Sequence, residues 1–139
     1  MNPSPNPARL FRASCVALIV TAMTFAIRGG IMSQLGREFH LSATELGWVV
    51  GTAFWGFTLA MVFGGPLCDV VGMGRLLAVA FAGHVAGIVL TIFAQGFWSL
   101  FISTLFIWLA NGMVEAAANP LVATLYPDDK TTRLNHFHA

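Results

Sequence analysis

Apolar residues along this chain do not alternate with polar ones; they gather into four long runs. The runs cover about Phe11 to Leu35 (interrupted by Arg28), Leu46 to Leu67, Leu76 to Phe93 and Phe97 to Tyr126. Each approaches or exceeds the roughly 20 residues that a helix needs to cross the hydrocarbon core of a bilayer. Membrane-spanning strands are shorter and show inside–outside alternation, which these runs lack. The pattern therefore predicts an all-α membrane protein, with helices over 11–35, 46–67, 76–93 and 97–126. Residues 1–10 open with three prolines among the first eight residues and read as a disordered tail. Residues 127–139 read as a loop leading to a fifth helix that the chain does not contain.

Composition agrees with this picture. Only 9% of the 139 residues are charged and 57% are apolar, with a mean hydropathy of +0.76. A soluble domain of this size needs a much more charged surface. Arg9 and Arg12 ahead of an apolar run also fit a cleaved signal peptide. No small-residue cleavage site follows, and the run stays apolar to Leu35, so the first run reads as a retained helix.

The basic residues set a predicted orientation. Arg9 and Arg12 precede the first run, Arg75 lies between the second and third, and Lys130 and Arg133 follow the fourth. On the other side stands Arg37 alone. By the positive-inside rule both termini are expected on the cytoplasmic face of a plasma (inner) membrane. Cys15 and Cys68 then lie near that reducing side, so no disulfide is expected. A net charge of +1, without a basic block, gives no basis for a nucleic-acid partner.

The connections are short. Ser42 followed three residues later by Glu45 has the form of a capping box. Gly47 with Gly51, and Gly83 with Gly87, are small residues at a spacing that lets helix backbones approach in lipid. Packing inside one bundle is the expected use of both pairs.

Three ionisable residues fall inside the apolar runs, where hydrocarbon makes them costly unless they are paired or hydrated. Glu115 is the most informative. Asn111, Glu115 and Asn119 recur every four residues and so share one helix face. Pro120 removes a backbone donor and frees the carbonyl of Ala116 beside that face. Such a stripe serves either to bind a substrate or proton or to make a polar contact between helices. Arg28 shares a face with Thr21 and Thr24; it can bind an anion, pair with Glu115 or snorkel toward the interface. At 1.5 Å per residue Arg28 lies roughly 24 Å from the inner end of its helix and Glu115 roughly 15 Å. The offset of roughly 9 Å argues against a direct ion pair. His84, lying midway along its run, is expected to be a satisfied polar contact rather than a proton relay.

No metal site or cofactor is expected: His136 and His138 lack further ligands at suitable spacing. No nucleophile constellation or phosphate-binding glycine loop is present, so no enzymatic activity is expected.

Two stretches resemble a known family. Gly65-Pro66-Leu67-Cys68-Asp69-Val70-Val71-Gly72-Met73-Gly74-Arg75 resembles the inner-loop motif of the major facilitator superfamily, glycine-x-leucine-alanine-aspartate-arginine-x-glycine-arginine-lysine. Gly65, Leu67, Asp69 and Gly72 match; basic residues are missing at Val70 and Met73, and Arg75 falls one place late. The resemblance implies a gating role for Gly65, Asp69, Gly72 and Arg75, clasping the other half of a transporter. Asn111-Gly112-Met113-Val114-Glu115-Ala116-Ala117-Ala118-Asn119-Pro120, with Tyr126-Pro127 and Leu134-Asn135, is similar to the fourth helix of the fucose-permease-like sugar symporters. That likeness implies proton coupling and substrate binding at Glu115, with Asn119 beside it. Where that group tends to carry an acidic residue in its first helix, this chain has Arg28-Gly29-Gly30, which points toward an anionic, sugar-like alternative.

The implied fold is the major facilitator fold, with residues 11–126 as transmembrane helices 1–4 of its N-terminal six-helix bundle. Its first and fourth helices line the central cavity. The expected function is secondary transport of a sugar or related small polar solute, proton-coupled, with Glu115, Asn119, Asn111, Arg28 and Thr24 at the binding site. Its partners are the solute, the lipid bilayer and the remaining helices of the transporter. The alternatives are an organic-anion facilitator that uses Arg28, or a small oligomeric four-helix membrane protein.

Overall fold

The computed structural model describes residues 6–139 and consists of helices joined by tight turns. The order is α1 (Pro7–Glu38), α2 (Ala43–Val71), α3 (Met73–Ile92), α4 (Phe97–Leu125) and α5 (Lys130–His138). Helices α1 to α4 are each long and apolar enough to span a membrane. Their short connections make neighbours antiparallel, so the start of α1, the α2–α3 turn and α5 share one end of the bundle, here called the base.

The helices outrun the apolar segments that predicted them. Residues 1–5 of the expected tail lie outside the described residues, but 7–10 form the first turn of α1. The local cause is Asn6, whose side chain accepts from the Ala8 and Arg9 amides at 3.0 and 3.3 Å, followed by Pro7 at the first helical position. At its other end α1 continues through Arg37 and Glu38, because the helix need not stop where hydrocarbon does. Helix α2 begins with the predicted capping box: the Glu45 amide donates to Ser42 Oγ at 3.3 Å, and the Ser42 amide donates to Glu45 Oε2 at 2.8 Å. Gly72 alone links α2 to α3; its φ of 85° is a conformation that glycine adopts freely. The expected loop 127–139 is largely helical. Phe137 of α5, only 4% exposed, docks among Phe11, Cys15, Leu18, Ala118, Val122 and Leu134.

Helix α4 is the hub. It packs along its length against α2 and α3 and more lightly against α1. Along α2, Thr52, Gly56, Ala60, Gly64 and Cys68 form a buried stripe of small residues at intervals of four. Opposite it stand Trp108, Gly112 and Ala116 of α4. The backbones are so close that a Cβ on Gly112 would lie 2.6 Å from the Ala60 Cβ and 2.7 Å from the Phe57 carbonyl oxygen. In lipid, such contacts supply the van der Waals energy that hydrophobic burial cannot.

Gly83 and Gly87 serve the matching purpose between α3 and α4, facing Ala110 and the Ser103–Ile107 turn. The other predicted pair does not. Gly47 faces open space and Gly51 meets only Trp55 of its own helix, so these two lie on a face that the described residues leave uncovered.

Polarity runs opposite to that of a soluble protein. Phe54, Phe63, Phe81, Ile92 and Val70 are exposed, whereas Ser14, Thr21, Arg28, Thr52, His84, Ser103, Thr104 and Asn111 are buried. The buried hydroxyls are satisfied within the helices: Thr52 donates to the Val49 carbonyl and Ser103 to that of Leu100. Exposed apolar side chains on membrane-length helices suit a lipid environment.

Candidate functional site in the cleft between α1 and α4

The stripe predicted on α4 faces inward and opens onto a cavity. Asn111 and Glu115, with Trp108 one turn earlier, line a space of about 400 Å³. Leu18, Thr21 and Phe25 of α1 and Phe57 of α2 form its other walls. Glu115 is half-buried. Its Oε2 accepts from Asn119 Nδ2 at 3.0 Å, a contact that the four-residue spacing makes available on any helix.

Asn119 extends this contact toward the base. Its Oδ1 lies 2.9 Å from Nε2 of His138 on α5, 19 residues further along the sequence, so a carboxyl group, an amide and an imidazole form one chain. The orientation follows from the carboxylate. Glu115 Oε2 accepts from the Asn119 NH2, so the Asn119 oxygen points away from it, and His138 Nε2–H donates to that oxygen. The sequence raises His138 only as a metal ligand lacking partners, and no periodicity links α5 to α4.

Asn111 turns the other way. It is 3% exposed, and its amide meets Nε2 of His84 on α3 at 2.6 Å. The other ring nitrogen, Nδ1, lies 3.1 Å from the Ala80 carbonyl oxygen. His84 is thus the buried, doubly satisfied polar contact that its position suggested.

Arg28 sits apart from this group. Only 5% exposed, it donates from Nη1 to Thr104 Oγ1 at 2.9 Å and from Nη2 to Thr91 Oγ1 at 2.5 Å, tying α1 to α4 and α3. Among the described residues the only salt bridge is Arg133–Asp129 at the base, so Arg28 has no carboxylate partner and the pair with Glu115 does not form. Arg28 lines two spaces. One, of about 380 Å³, lies between α1, α2 and α4 with Met32, Val50, Thr104 and Trp108. The other, of about 270 Å³, lies toward α3 with Thr24, Ile88 and Thr91. Thr24 therefore belongs with Arg28 and not with Glu115; its hydroxyl donates to the Val20 carbonyl at 2.8 Å.

The residues of the α2–α3 turn cluster at the base. Gly65 lies inside α2, Asp69 in its last turn and Arg75 in the first turn of α3. Asp69 and Arg75 are both exposed and do not pair with each other.

The central helix thus carries a carboxyl group facing a cavity within a bundle of membrane-length helices. The sequence profile of the Major Facilitator Superfamily matches residues 14–137. The chain belongs to this superfamily. It is a multi-pass membrane protein of a transporter family, as its four spans require. Among curated relatives, a D-xylose transporter of Levilactobacillus brevis is 30% identical over 107 residues, covering 77% of this chain and 23% of the relative. A probable chloroplastic anion transporter, number 6, of Arabidopsis thaliana is 23% identical over 130 residues, covering 93% of this chain and 25% of the relative. The chain thus spans about a quarter of the length of the relatives it matches. No solved structure gives a significant match.

Proposed function

We propose that these helices are the first four of a major facilitator transporter that moves a sugar or related polyhydroxylated solute by alternating access, driven by protons through Glu115. The observation that carries this reading is the α4 stripe. Asn111 and Glu115 both line a cavity of about 400 Å³. That space suits a monosaccharide-sized ligand, and aromatic Phe25 and Trp108 stand beside it to cover a sugar face. The D-xylose transporter relative supports the same solute class. In this reading both termini are cytoplasmic, and Asp69 and Arg75, unpaired here, meet partners on the remaining helices.

The test is transport by the full-length protein in proteoliposomes carrying a proton gradient. Uphill accumulation of D-xylose is expected. Glu115→Gln should abolish accumulation while leaving membrane insertion intact. Undiminished accumulation in that variant would overturn the coupling role.

A second reading has its own support: a buried guanidinium held only by hydroxyls favours an anionic solute. The anion transporter relative agrees with it. Competition between D-xylose and its acid, D-xylonate, separates the two readings. Preference for the acid that disappears in Arg28→Met would select the anion.

A further inference from the structure

We infer that His84, which does not line the cavity, is a positioning residue that fixes which end of the Asn111 amide faces the solute; this inference rests on the sugar-site reading above. The geometry of the ring decides it. Nδ1 of His84 lies 3.1 Å from the Ala80 carbonyl oxygen, which can only accept, so Nδ1 carries a proton. In a neutral imidazole Nε2 is then a bare lone pair and can only accept.

The group facing that lone pair at 2.6 Å is the Asn111 side-chain amide, placed with Oδ1 toward the ring. Two acceptors at that distance repel. The amide's oxygen and nitrogen ends have nearly the same shape, so a half-turn relieves the conflict without moving any other atom. The NH2 then donates to His84 Nε2, and the Asn111 carbonyl oxygen is turned toward the cavity.

The opposite assignment makes His84 an imidazolium that donates from both nitrogens. That places a buried cation between α3 and α4. Of the charged groups within the packed helices, Glu115 stands four residues along α4 from Asn111 and accepts from Asn119, and Arg28 of α1 is bonded to Thr91 and Thr104; neither bonds His84, whose partners are Ala80 and Asn111. Helix α2 brings no titratable side chain to the Asn111 cavity, to which it contributes Phe57.

The consequence is chemical selectivity. With His84 neutral, the cavity wall presents two acceptors, the Asn111 carbonyl and the Glu115 carboxylate. A ligand must then offer hydroxyl donors to both. Replacing the matching hydroxyl by fluorine keeps size and polarity but removes the donor.

Two measurements on the full-length protein in lipid nanodiscs test this. The first is ¹⁵N NMR of histidine-labelled protein, with His84 assigned by comparison with His84→Gln. The Nδ1–H tautomer with bare Nε2 is expected. An Nε2–H tautomer, or a doubly protonated ring, overturns the inference. This readout needs no solute, so it stands even if the sugar reading fails.

The second measures inhibition of D-xylose binding by its four monofluoro analogues. The native protein should reject at least one of them by about tenfold, the cost of leaving a buried acceptor unpaired. In His84→Leu the amide is free to turn, and that rejection should vanish while D-xylose still binds. Rejection that persists in His84→Leu overturns the positioning role. If D-xylose does not bind the native protein, the sugar reading fails and the tautomer alone decides the inference.

Discussion

Phe25 of α1 and Trp108 of α4 meet edge to face with ring centroids 4.6 Å apart, and both rings line the cavities on either side of them. They divide the cleft between α1 and α4 into a compartment with Arg28 and one with Glu115. The two charges that sequence depth had already set apart are separated by this aromatic wall. Trp108 is buried and fixed by its packing on Gly56, whereas Phe25 is 60% exposed. The movable half of the wall is therefore Phe25.

Phe25→Ala should join the compartments at little cost in stability. An aromatic pair contributes about 0.5–1.5 kcal/mol beyond area burial, and Phe25 is mostly uncovered. The variant is expected to keep its melting temperature within a few degrees and, on the sugar reading, to bind disaccharides more tightly than the native protein does. Competition binding on purified protein checks this. Unchanged disaccharide affinity would show that the wall does not limit solute size.

Glycine substitutions should separate the two kinds of small-residue site. Gly112→Ala places a methyl group 2.6 Å from Ala60 Cβ and against the Phe57 backbone, neither of which can swing aside. A loss of about 1–3 kcal/mol is expected from overpacking. Gly47→Ala meets nothing within 4 Å and should be neutral or slightly stabilising, since alanine is the better helix former. Unfolding of both variants in mixed micelles measures the difference, and equal effects would contradict the packing described here.

Much of this arrangement was legible in the sequence, and the illegible parts share one cause. The four spans, the Ser42–Glu45 cap and the Asn111–Glu115–Asn119 face follow from local periodicity, which reports what lies on one side of one helix. Periodicity does not name the partner helix. Gly47 and Gly51 have the same spacing as Gly83 and Gly87, yet only the second pair meets α4. Arg28 was seen as a buried charge, but its acceptors Thr91 and Thr104 lie 63 and 76 residues away. The helix ends were placed short because hydropathy marks where hydrocarbon stops, whereas Asn6 and Ser42 mark where the backbone stops being helical.

The chain from Glu115 through Asn119 to His138 predicts a gradient of effects. Asn119 donates to the Glu115 carboxyl group inside the bundle, and removing one partner of a buried hydrogen bond costs about 1–3 kcal/mol. Asn119→Leu should therefore lower the transport rate by about tenfold or more. His138 is exposed and reaches Glu115 only through Asn119, so His138→Ala should lower it by about two- to fivefold. Initial uptake rates at matched protein levels check the order. If His138→Ala is as damaging as Asn119→Leu, then α5 closes the site rather than merely adjoining it.

Arg28 gives the sharpest separation of structure from function. Its two acceptors do not depend on it, because Thr91 and Thr104 also donate to the Gly87 and Leu100 carbonyls of their own helices at 2.7 and 2.5 Å. Removing the guanidinium therefore strands no hydroxyl proton. It also removes a buried charge that lacks a carboxylate partner, and replacing buried charge with packed apolar volume is often neutral or stabilising by about 1–4 kcal/mol. Arg28→Met should accordingly insert, fold and melt at the native temperature or above it. If Arg28 serves only to tie α1 to α3 and α4, the same variant should transport normally. If it binds a solute carboxylate, affinity for D-xylonate should fall by about tenfold or more while neutral D-xylose is little affected. A variant that is stable and selectively blind to the acid assigns Arg28 to the solute, whereas a variant that unfolds assigns it to the bundle.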